Sequence, residues 1–144
     1  MPRRCGPCSA CCHVLSIPDT GSPGWTDCQH QCKQGGCGIY ADRPEPCSTA
    51  RCQWLMGFGA NKDRPDRCGL VVWIVEGATD RPFVVVHEAW QGASERGRGP
   101  GLLARLLARV GPMPAFLRMP DGYLTLNAAA RAWVAAGFEW PLGV

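Results

Sequence analysis

Leu70-Val71-Val72-Trp73-Ile74-Val75 and Phe83-Val84-Val85-Val86-His87-Glu88-Ala89-Trp90 are the stretches from which the fold is read. Both are short and rich in β-branched and aromatic residues, which fit a pleated, half-buried surface. The link between them, residues 76–82 (E-G-A-T-D-R-P), is turn-rich, so the pair reads as an antiparallel hairpin. Downstream, Leu102–Val110 carries apolar residues at helical spacing with Arg105 and Arg109 four apart, and Gly111-Pro112 stops it. Ala115–Met119 and Tyr123–Leu126 read as two more strands around the turn Pro120-Asp121-Gly122. Ala128–Ala136 is alanine-rich, reads as a helix and is closed by Gly137. The expected order is β-β-α-β-β-α: an α+β fold with a small, mainly antiparallel sheet and two helices.

Upstream of the hairpin the composition changes. All ten cysteines lie within residues 1–68, and no sustained helical or strand period runs through that half. Gly and Pro, 18 and 13 in the chain, add turns. Such a stretch has too little apolar surface to offset its conformational entropy, and metal ligation supplies free energy of the missing kind. Residues 1–68 therefore read as an irregular cysteine-rich metal-binding module. Residues 69–144 read as the small α+β subdomain on which it packs, the two forming one compact unit. Cys52–Gly59 (C-Q-W-L-M-G-F-G) is apolar and reads as a helical turn that joins them.

The start Met-Pro-Arg-Arg leads into Cys5–Cys12 rather than an apolar run, so no signal peptide is read there. No apolar stretch approaches the roughly 18 residues of a membrane span. The expected compartment is the cytoplasm, where thiols stay reduced and clustered cysteines more often hold metal than form disulfides. Net charge is +3, and residues 1–68 carry eight of the fifteen Lys and Arg, so no basic face for nucleic acid stands out.

Thiolates are soft ligands, and four of them in tetrahedral array select zinc or an iron–sulfur cluster. Cys5, Cys8 and Cys11 form C-x-x-C-x-x-C, which with one remote cysteine is the arrangement around a bacterial ferredoxin 4Fe–4S cluster. A zinc ribbon would show a second C-x-x-C, which this chain lacks. Cys12 and the later cysteines close a zinc site equally well, so both metals stay open.

The run Cys5–Cys12, then Cys28, Cys37-Gly38-Ile39-Tyr40, Arg43-Pro44, Cys47 and Cys52 with Trp54-Leu55, resembles the bacterial C-x-x-C-x-x-C-C proteins of the YkgJ family. The resemblance covers roughly residues 5–57. Cys32, Cys68 and Ser48, where an Arg commonly follows the cysteine, depart from the pattern. The resemblance implies zinc or iron chelation through Cys5, Cys8, Cys11, Cys12, Cys28, Cys37, Cys47 and Cys52. A larger relative, a flagellin lysine methylase, is associated with a 4Fe–4S cluster. Two roles follow: a metal-holding protein with a redox or modification-linked function, or a structural zinc module acting as a non-catalytic adaptor or metal carrier. Whether the chain is an enzyme stays open, as does any protein partner.

Arg3, Arg4, Arg43 and Arg51 are placed to offset the negative charge of a thiolate centre. His13 and His30 sit among the cysteines but read as surface or packing residues, and His87 as structural. Arg96-Gly97-Arg98-Gly99-Pro100-Gly101 fits the R-x-x-G-x-G phosphate loop of acetyl-CoA-dependent acetyltransferases. Pro100 removes one N–H, and the plain reading is a flexible linker before a helix. Some of the six Trp are expected to cover the metal module.

Overall fold

A computed structural model of the chain describes residues 2–141. The described residues form an α+β fold with five helices and two sheets. The first half holds only short pieces: α1 (Ala10–Val14), β1 (Ser16–Ile17) paired with β2 (Ser22–Pro23), α2 (Glu45–Thr49) and α3 (Pro65–Cys68). The second half holds β3 (Leu70–Val75), β4 (Phe83–Glu88), α4 (Gly99–Val110), β5 (Ala115–Met119), β6 (Gly122–Thr125) and α5 (Ala128–Ala135).

The hairpin forms as expected, in antiparallel register from Leu70 opposite Glu88 to Val75 opposite Phe83. The four strands lie in the order β3-β4-β5-β6. β5 and β6 make a second antiparallel pair, but β4 and β5 run parallel, Val84 beside Ala115. A parallel neighbour needs a crossover, and α4 supplies it. All six residues of β4 are buried, because both faces of this central strand are covered.

One face carries Leu70, Val72, Val84, Val86, Ala115 and Leu117 against Leu102 and Leu106 of α4. These two α4 residues are four apart and form its apolar stripe. Phe58 and Cys68, from the cysteine-bearing half, enter the same core. The other face is shared. At one end Phe83, Val85 and Phe116 pack with Ala130 of α5 and the rings of Trp133, Phe138 and Trp140. At the other, Val71 packs with Ala10, Val14, Cys52 and Trp54. The cysteine-bearing half thus reaches both sides of the sheet. Along β3 it also approaches edge-on, where the Gln53 N–H donates to the Val72 carbonyl at 2.7 Å.

Two polar anchors fix the loops. Asp63 is buried, and its carboxylate accepts from Arg98 Nε at 2.5 Å, Arg105 Nη2 at 3.0 Å and the Ala60 N–H at 2.8 Å. Burial alone raises its pKa, but Arg98, the Ala60 N–H and Arg105 outweigh that and hold the carboxyl below its ordinary range. Glu88, also buried, accepts from the N–H groups of Gly92 and Ser94 and from the Ser94 hydroxyl.

The expected linker, residues 96–101, is instead built into the fold, with Gly99, Pro100 and Gly101 in the first turn of α4. The chain is tied by Glu88 at one end and by Arg98 at the other. α4 starts at Gly99, where an added Cβ would lie 1.9 Å from the Ala93 carbonyl oxygen. The glycine serves backbone packing rather than mobility. The expected strand Phe83–Trp90 ends at Glu88, where its side chain turns to bind the loop. The expected strand Tyr123–Leu126 runs from Gly122 to Thr125.

Candidate functional site

Short turns bring distant cysteines to one place. The Cys8 N–H donates to the Cys5 carbonyl at 2.9 Å, and α1 then carries Cys11 and Cys12. Cys28 opens a turn closed by the Gln31 N–H, and Gln31 pairs with Cys37 in an isolated bridge. Gly35 and Gly36 let this loop lie on the N-terminal turn. A Cβ on them would come within 2.3 Å of the Pro7 oxygen and 2.7 Å of the Gly6 oxygen. α2 carries Cys47 behind Pro44, and the turn after α2 carries Cys52.

The result is one cavity of about 60 Å3, lined by Cys5, Cys8, Cys11, Cys12, Cys28, Cys37, Cys47 and Cys52. Trp54, Trp73, Leu15 and Val71 make apolar parts of its wall, and Arg43 and His30 the polar parts. Two buried donors on that wall, Arg43 Nε and Trp73 Nε1, have no hydrogen-bond partner. A buried donor without an acceptor is costly. An anionic sulfur in the cavity is the kind of acceptor both lack.

The thiols do not share one environment. Burial pushes Cys8 up to about 11, although the N–H groups of Ala10 and Asp66 face its sulfur and act the other way. Burial also raises Cys52, opposed by the N–H groups of Leu55 and Trp54, and raises Cys47. The interaction between the adjacent Cys11 and Cys12 thiols divides that pair. Cys11 is pushed well up and Cys12 drawn down to about 7, with Arg43 adding to the fall. Cys12 is thus the thiol readiest to ionise, and it lies beside the cavity's guanidinium.

The eight cysteines singled out in the sequence all line the cavity, and the two set apart do not. Cys32 is exposed. Cys68 is buried under α4, and its Sγ donates to the Asp63 carbonyl at 3.2 Å. All ten cysteines are free thiols. The eight do not close into a ready-made ligating group: among the described residues no three His, Cys, Asp or Glu side chains form one.

Of the four arginines expected near the sulfurs, only Arg43 reaches the cavity. Arg3 spends its guanidinium on the carbonyls of Trp54, Phe58 and Gly59, and stacks on the Trp54 ring 4.9 Å away. Arg4 lines a separate shallow cleft with Gly35, Gly36 and Tyr40, and Arg51 is exposed. His13 pairs with Asp27 at 2.8 Å, away from the cavity. His30 does line it. The sequence signal for His30 was only its position between Cys28 and Cys32, which does not separate it from a surface histidine. Trp54 and Trp73, of the six tryptophans, line the cavity.

No protein-family model matches the chain, and no curated protein or solved structure matches it. The chemistry of the site is therefore argued from its own residues. Thiols are soft donors, suited in general to thiophilic rather than hard cations. Among the described residues, no helix is long and apolar enough to cross a membrane.

Proposed function

We propose that the cavity is a thiolate metal centre holding zinc or a 4Fe–4S iron–sulfur cluster, and that the protein is a cytoplasmic cysteine-cluster protein of the YkgJ kind. One observation carries this reading. Eight cysteines spread over 48 residues of sequence face one cavity of about 60 Å3, while Cys32 and Cys68 do not. The orphaned Arg43 Nε supports it, because thiolate–metal centres carry net negative charge. So do the N–H groups aimed at Cys8 and Cys52, which stabilise sulfur in its anionic, metal-bound form.

That the thiols stand without closing into a ligating group agrees with ligation coupled to the last step of folding. Zinc would cross-link the turns. An iron–sulfur cluster would add one-electron chemistry. Cys8, Cys11 and Cys52 pack in the same core as Val71 of the sheet, which favours a structural role for the metal before any catalytic one.

Anaerobic purification followed by metal analysis and an absorption spectrum tests the reading. Stoichiometric zinc in a colourless protein, or iron and acid-labile sulfide in a brown one, is the expected result. Cys8→Ser should lower metal content and the melting temperature, and Cys32→Ser should leave both unchanged. A wild-type chain free of both metals would sink the proposal, as would equal metal loss in the two variants. Reversible reduction of the bound metal separates an electron-transfer role from a structural one.

A further inference from the structure

Outside the cysteine cavity, the sheet holds a second pair of buried polar atoms without partners. The strand register sets Val71, His87, Arg118 and Tyr123 in one row across β3, β4, β5 and β6. Side chains opposite each other in such a row point to the same face. His87 is 4% exposed and Arg118 is half-buried. His87 Nδ1 and Arg118 Nε are both sealed from solvent and make no hydrogen bond. Neither residue lines the cysteine cavity.

The guanidinium is short of one anionic partner. Its Nη1 donates to the carbonyls of Met119 and Gly122 at 2.7 and 3.0 Å. The rings of Trp25 and Trp140 each lie 5.4 Å from its Cζ. Carbonyls and ring faces attract a cation but carry no net charge. Among the described residues no carboxylate pairs with Arg118. An enclosed charge left unpaired, with one of its donors orphaned, is costly. The imidazole beside it stays neutral, because burial and Arg118 both disfavour its charged form. With its proton on Nδ1, His87 offers a second donor next to the first.

Trp25 is the cover. Its ring stands 5.5 Å from that of His87, and its Nε1 donates to the Glu88 carbonyl at 2.7 Å. Its φ is +46°, and among the described residues no other non-glycine has a positive φ. A bulky residue is strained there, and such strain persists where the surroundings hold it and clusters at ligand clamps. We infer that His87 and Arg118 form a buried receptor for a small carboxylate, whose oxygens accept from Arg118 Nε and His87 Nδ1 beneath the Trp25 ring. The planar edge of a guanidinium matches a carboxylate better than it matches a spherical ion, which sets the ligand class. Trp25 turns aside to admit the ligand, and relief of its backbone strain lowers the cost of that movement. The site is independent of the metal reading above.

Titration of the full-length chain, as purified, with sodium acetate at pH 7 and constant ionic strength tests the site. The readouts are the imidazole 1H and 15N resonances and the melting temperature. In the wild type the His87 signals should move saturably and Tm should rise with acetate, while the His13 and His30 signals stay in place. Chloride at the same concentration should do neither. Arg118→Lys keeps the charge but removes the Nε–H, and should weaken acetate binding about tenfold or more. Absence of a saturable His87 shift in the wild type overturns the site and leaves its two orphaned atoms to a bound water. An equal response to chloride overturns the carboxylate assignment. Undiminished acetate binding in Arg118→Lys overturns the role of Nε. The wild-type titrations with acetate and chloride decide the matter even where the variant fails to fold.

Discussion

Asp63→Ala should lower the thermal stability of the whole chain in a single transition. The Asp63 side chain is 1% exposed and ties the segment before α3 to α4 through Arg98 and Arg105. Those arginine side chains are 41% and 55% exposed, so water replaces the carboxylate for them and their loss adds little. The main cost is the Ala60 N–H, which loses a charged acceptor at 2.8 Å. Hydrogen bonds to charged groups contribute roughly 1.5–3 kcal/mol. For a chain of this size each kcal/mol shifts Tm by about 2–4 °C, so a fall of about 3–12 °C is expected. Circular dichroism melting at pH 7 of anaerobically prepared wild type and variant measures it. Acid should have the same effect. A carboxyl held below its ordinary range stabilises the fold fully above the unfolded-state value near 3.8 and loses that contribution as pH falls through the lower folded value. A fall below about 1 °C, or two separate transitions in the variant, would refute the view that Asp63 locks the two halves into one cooperative unit.

Two further outcomes are expected. Burial and the nearby Arg118 lower His87 from 6.5 to about 4. Its contribution is intact above pH 6.5 and is lost as pH falls towards 4, where the unfolded chain holds the extra proton. The loss is about 3 kcal/mol, and urea titrations of His87→Leu across that range should show a flatter pH dependence. Gly99→Ala places a methyl 1.9 Å from the Ala93 oxygen. Displacing that backbone should cost about 1–3 kcal/mol, and an unchanged urea midpoint would show that the 92–98 loop yields freely.

The second half of the fold was legible because its signals are local. Leu70–Val75 and Leu102–Val110 carry their own periods, and the expected bounds lie within a few residues of the observed ones. The parallel pairing of β4 with β5 was not legible, because it depends on where α4 lands after crossing the sheet. Nor were α1, α2 and α3, each five residues or fewer and held by tertiary contact rather than propensity. At the site, Cys32 and Cys68 were separable from the other eight by motif. His30 and the lone role of Arg43 were not, since sequence distance from a cysteine says nothing about which way a loop turns. Asp63 lay in an unremarkable stretch, and its partners are 35 and 42 residues away.

The Gln53 contact with Val72 gives the cysteine-bearing half one more role. β3 is an outer strand of the four-stranded sheet, and its sequence L-V-V-W-I-V is apolar, β-prone and free of charge. Left bare, such a strand offers unpaired backbone to any other copy of itself. Residues around Gln53 cap part of that edge, and Cys52, one residue before, lines the cavity. The packing that places Cys52 on the cavity wall therefore also shields this edge from strand-to-strand aggregation, and loosening the cysteine-bearing half should cost solubility as well as stability.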